Sequence, residues 1–126
     1  MEEKEYELLD VVKYLKVVYE NIFTLHHNIV SSNFYADHEK LGEYYERVQS
    51  YIDELVELAD TMNLKEPTII ESINYFKGKE QIISARAYTA NESFALVKNY
   101  FNNIITLLEM IKEKQVGYNV IKIIFY

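Results

Sequence analysis

The chain has 126 residues, no cysteine and a formal net charge of −7. A single domain of that size can bury a working core without cross-links, and the missing thiols exclude disulfides, zinc fingers, thiolate iron centres and cysteine nucleophiles together. The acidic balance argues against a nucleic acid held through its phosphates, which needs clustered Lys and Arg, whereas an acidic surface suits cations.

The N-terminal run MEEKEYELLD is acidic and reads as the start of a helix, not as the basic-then-apolar opening of a signal peptide. No apolar run approaches the ~20 residues of a membrane span. The expectation is a cytoplasmic, non-membrane protein. Three glycines and one proline favour long uninterrupted helices over a turn-rich sheet protein, and no repeat, linker or low-complexity stretch divides the chain.

Over residues 3–30, Leu8, Val11, Leu15, Val18, Ile22, Leu25 and Ile29 recur at spacings of three and four, the core stripe of a helix. At about 100° per residue, His26 falls roughly 50° from the centre of that stripe and His27 about 150° away on the opposite side. His26 therefore points inward and His27 outward. Ser31, Ser32 and Asn33 break the pattern, and Asp37 is the expected N-cap of a second helix running to about Met62. Its stripe is Leu41, Tyr45, Val48, Ile52, Leu55, Ala59 and Met62, and the short connection implies an antiparallel hairpin.

Residues 63–67 read as a stop and turn, followed by a short helix over 68–76 with Pro67 before it and Gly78 closing it. Residues 79–88 read as an irregular connection. Thr89-Ala90-Asn91-Glu92 has the spacing of a capping box and opens a third long helix, with Phe94, Val97, Phe101, Ile104, Leu108 and Ile111 on one face, ending near Gly117. Residues 118–126 are apolar almost throughout but make only about two and a half helical turns. Either another subunit completes a bundle or this segment packs in some other way.

The residues with chemistry gather between Leu25 and Ala59. His26, His38, Asp53 and Glu57 are the N and O donors that bind iron, manganese or zinc. Taken singly, a histidine at the edge of a stripe is ordinarily a hydrogen-bonded structural residue, and an Asp and Glu at i and i+4 are ordinarily solvated charges. Their joint spacing points further. His26-x-Asn28, Asn33-Phe34, Ala36-x-His38-Glu39 and Asp53-x-x-x-Glu57 resemble, in order and spacing, the signature of the Dps proteins, the mini-ferritins first described as DNA-binding proteins from starved cells. The family pattern has His-Trp-Asn at the first position, and the Trp is His27 here. The likeness is close over the first two helices and extends to the others only in length and position. Short chains of this kind also resemble Dps-like proteins encoded by some phages.

The resemblance implies an all-α, ferritin-like antiparallel four-helix bundle, with a short helix between helices two and three and a truncated fourth helix, assembling as a homo-oligomer from dimers up to a twelve-subunit shell. It implies iron sites at a two-fold interface, with His26 and His38 from one subunit and Asp53 and Glu57 from its neighbour, and oxidation of Fe(II) by peroxide or oxygen with storage of the ferric product. Another divalent metal is a further expectation. The family's third ligand of the same subunit is an Asp four residues after the second His, and here that position is Gly42. Losing a carboxylate there should lower iron affinity. The family's DNA-binding members use a basic flexible tail. The acidic N-terminus lacks one, and direct DNA binding is not expected.

Spacing alone supports a shared site. Asp53 lies 15 positions beyond His38, about 22 Å along a straight helix, so one subunit cannot bring both to one ion. Two copies of the helix crossing antiparallel near Glu46 and Arg47 would bring His38 of one opposite Asp53 and Glu57 of the other. Asp53 and Glu57 fall roughly 120° and 160° from their own core stripe, and Tyr44 and Tyr51 are expected to cover the interface. The competing reading is a non-enzymatic structural or interaction protein of the same fold with a decayed metal site, which Gly42 favours.

Overall fold

A computed structural model describes residues 7–78 and 82–111. The helices are α1 (Leu8–Asn28), α2 (Phe34–Thr61), α3 (Ile69–Tyr75) and α4 (Ala90–Glu109), and a two-residue strand pair joins β1 (Ile29–Val30) to β2 (Tyr88–Thr89). The protein is thus predominantly helical, in keeping with the all-α expectation. Among the described residues no helix is long and apolar enough to cross a membrane. The expected truncated fourth helix over 118–126 lies outside the described residues.

Helix α1 is the central element. Every residue of its expected stripe is buried, and so are Val12, Tyr14, Val17 and Asn21, which widen the apolar arc beyond one face. α2, α3 and α4 all pack on it, because an arc that broad needs more than one partner. Tyr14 meets Phe76, just beyond α3, edge-on at 5.3 Å. Lys16 Nζ donates to the Glu66 carboxylate and to the carbonyl of Pro67, fixing the turn that leads into α3. Asn103 Nδ2 donates to Tyr14 Oη at 2.9 Å and Asn21 Nδ2 to Tyr100 Oη at 3.1 Å, so α4 runs antiparallel to α1.

The ends follow local chemistry. α2 starts at Phe34, not after Asp37 as the cap reading expects. Ser31 Oγ accepts from the Asn33 amide at 3.0 Å and donates to Asp37 Oδ2 at 2.6 Å. Asn33 is the N-cap, without a side-chain cap bond; the Asp37 amide donates to its carbonyl at 3.1 Å, and residues 34–36 form the first turn. At the other end Asn63 takes a left-handed φ of 59°, the usual helix stop. α3 and α4 each open on a capping box: Thr68 with Glu71, and Thr89 with Glu92. Arg86 also donates to Glu92 at 2.8 Å. Its hydrogen bond and those from Thr89 hold the Glu92 carboxyl down to about 2. α4 runs to Glu109 with Met110 at its C-cap, short of the expected end near Gly117.

The strand pair is unforeseen. Ile29 pairs with Tyr88 and Val30 with Thr89 in parallel register, tying the α1–α2 corner to the start of α4. Tyr44 also differs from expectation: its ring packs on Phe94 and Phe101 of its own chain, at 6.5 and 5.9 Å, so it helps to hold α4 against α2.

Candidate metal-binding site

Two of the four expected ligands meet at the α1–α2 corner. His26 Nδ1 lies 2.6 Å from the carbonyl oxygen of His38, and His38 Nδ1 lies 2.7 Å from the carbonyl oxygen of His26. A carbonyl only accepts, so in both rings Nδ1 carries the proton and donates. The His26 carbonyl is among the last four of α1, which have no partner inside the helix. The His38 ring supplies one.

With Nδ1 protonated, the neutral ring keeps its lone pair on Nε2, which is how an imidazole held by a main-chain carbonyl is readied for a metal. His26 is held below its ordinary value of 6.5, chiefly by burial and then by repulsion from His38 and His27, against the opposing pull of its bond to the His38 carbonyl. The ring is therefore neutral at neutral pH.

Aromatic packing fixes the pair. The two imidazoles stack with centroids 3.7 Å apart and planes 18° apart. Phe34 stacks on His38 at 5.2 Å, and Tyr45 meets His26 edge-on at 5.2 Å. His27 is exposed, as its angle predicts, and rests on Phe23 at 4.5 Å. A ligating imidazole holds its ion close to the ring plane. An ion in the plane of one stacked ring would lie out of the plane of the other, so the pair as stacked does not present both rings to a single ion.

Asp53 and Glu57 do not join this pair. Both are exposed on the outer face of α2, about 22 Å or more along the helix from His38 at 1.5 Å per residue. Among the described residues no three His, Asp or Glu side chains of one chain converge as a metal site. Asp53 instead borders an open cleft of about 240 Å³ whose lining includes Lys16, Tyr19, Glu20, Gln49, Ile52 and Ile69. Glu39, Glu43, Glu46, Asp53, Glu57 and Asp60 are all exposed along α2. Their row attracts cations and also repels a second copy of itself. Glu43 pairs with Lys40 at 3.4 Å.

The sequence reading missed Phe34 as the stacking partner of His38, and it treated Gly42 only as a lost carboxylate. A lone glycine inside a strongly periodic helix is itself a signal of close approach. Here a Cβ on Gly42 would stand 2.9 Å from Cε1 of His26. No protein-family model, no curated protein and no solved structure matches this chain.

Proposed function

We propose that this chain is the protomer of a mini-ferritin of the Dps type: Fe(II) binds between copies, to His26 and His38 of one and Asp53 and Glu57 of its neighbour, and is oxidised and stored as ferric iron. The observation that carries the reading is the reciprocal bond between the two histidines, which commits both Nδ1 protons to carbonyls and leaves both Nε2 atoms as donors. The antiparallel packing of α1 with α2 and with α4 fits three helices of a ferritin-like four-helix bundle, the arrangement the proposal requires.

The chemistry asks little of the protein beyond donors and open positions. Two Fe(II) ions each lose one electron to a peroxide, whose O–O bond breaks to give two hydroxide ions. Carboxylate oxygens stabilise Fe(III) more than Fe(II), because the harder, more highly charged ion gains more from anionic ligands. Asp53 and Glu57 would thereby favour loss of the electron. Storing the product limits hydroxyl-radical formation.

A second reading is that the protein is a structural or interaction protein, in which the histidine pair is a clasp between α1 and α2. Gly42 favours it, since that position supplies no carboxylate to the pair. Anaerobic Fe(II) titration with native mass recorded on the same sample, followed by peroxide and ultraviolet detection of ferric product, separates the two. Saturable binding, lost in His38→Ala, with rapid oxidation in a large closed oligomer supports the mini-ferritin. No binding above buffer, with mass and melting temperature unchanged by chelator, supports the clasp.

A further inference from the structure

We infer that Gly42 is a positioning residue for the histidine pair: its bare Cα is the seat of the His26 ring, and any side chain there drives the imidazole off His38. A Cβ built on Gly42 would lie 2.9 Å from Cε1, 3.3 Å from Nδ1 and 3.7 Å from Nε2 of His26. The first distance is shorter than side-chain carbons tolerate, so the ring must move.

The ring is not free to move cheaply. Its Nδ1 is bonded at 2.6 Å to the His38 carbonyl, its face lies 3.7 Å from the His38 ring, and Tyr45 stands at its edge. Residue 42 is one helical turn beyond residue 38, so its side chain would stand beside the carbonyl that His26 must reach. Glycine leaves that approach open. Gly42 is accordingly buried although it sits on a helix whose neighbouring positions 39, 40 and 43 are exposed.

The sign of a substitution makes this testable. In an open helical position, Gly→Ala stabilises a protein, because alanine is the better helix former. At position 42 the collision with His26 reverses that sign, and removing the ring should restore it. The inference deepens the proposed metal site but does not depend on it.

The test is a double-mutant cycle on the full chain with Gly42→Ala, His26→Ala and the pair together, read by thermal unfolding and by ¹⁵N chemical shifts of the histidine rings. The expected result is a lower melting temperature for Gly42→Ala alone, loss of the Nδ1-protonated signature of His26, and a higher melting temperature when Gly42→Ala is added to His26→Ala. If Gly42→Ala fails to fold while the double variant folds, the inference also stands. A rise in melting temperature in both backgrounds with unchanged histidine shifts overturns it, as does failure of both variants to fold.

Co(II) titration of the same proteins separates this inference from the proposed function. Binding by the wild type that weakens roughly tenfold or more in Gly42→Ala, the usual effect of disturbing a ligand's support, upholds both. A wild type that ignores Co(II) counts against the metal site, and the unfolding cycle then decides the role of Gly42 alone.

Discussion

His26 and His38 exchange the same hydrogen bond, each ring donating from Nδ1 to the other residue's carbonyl at 2.6 and 2.7 Å, so the corner between the two longest helices is closed by two titratable groups stacked face to face. A stack of neutral imidazoles is favourable. A stack of two imidazolium ions is not.

This makes stability depend on pH in a defined direction. His26 is held below its ordinary value of 6.5 in the folded chain, so below that pH the unfolded chain takes up the proton first, and protons drive unfolding. The contribution of this group is fully present above pH 6.5 and declines as the pH falls from there toward its folded value. The expected outcome is a urea midpoint that drops on acidification below about pH 6.5 and a shallower drop in His26→Gln. An identical pH profile in the two proteins would remove His26 as the cause.

Asn21 carries a different load. It is fully buried in α1, donates to Tyr100 Oη at 3.1 Å and accepts the Ile83 amide at 3.0 Å, so one side chain ties α1 both to α4 and to the connection before it. Replacing it with Leu removes the acceptor and strands the Ile83 amide in an apolar setting, a cost of about 1–3 kcal/mol. Tyr100→Phe removes the hydroxyl that accepts from Asn21 and, leaving the Ile83 amide paired, should cost about 1 kcal/mol. Urea unfolding with an unchanged slope measures both. Equal losses in the two variants would mean that the link to Ile83 contributes nothing.

How much of this was legible beforehand depended on whether a feature is local. The stripe from Leu8 to Ile29 is buried throughout, because a period of three to four residues is a property of one helix. The box from Thr89 to Glu92 opens α4, and Thr68 to Glu71 carries the same signature at the start of α3. The outward direction of Asp53 and Glu57 also follows from angle alone. The pairing of Ile29 with Tyr88 did not follow, since two residues carry no strand pattern and the partner is distant in sequence. Tyr44 reads as an interface residue because the pattern of α2 does not reveal that α4 covers a second face. Gly42 reads only as a missing carboxylate because the space it leaves is filled by a ring from another helix.

The acidic row on α2 yields the last expectation. Glu39, Glu43, Glu46, Asp53, Glu57 and Asp60 are all exposed, and an antiparallel crossing of two α2 helices near Glu46 sets these carboxylates against one another, with Arg47 as the cation nearest the crossing point. Repulsion of this kind is screened by salt and removed by cations bound between the helices. Self-association should therefore strengthen as salt rises from low to moderate, and strengthen further with Co(II) or Zn(II). Were pairing between Arg47 and Glu46 the dominant force, salt would weaken the dimer instead. The double substitution Asp53→Asn with Glu57→Gln should associate more readily without metal and lose its response to metal. Sedimentation at two salt concentrations, with metal and with chelator, distinguishes these cases, and a mass that stays constant across all of them would show that α2 does not form the contact.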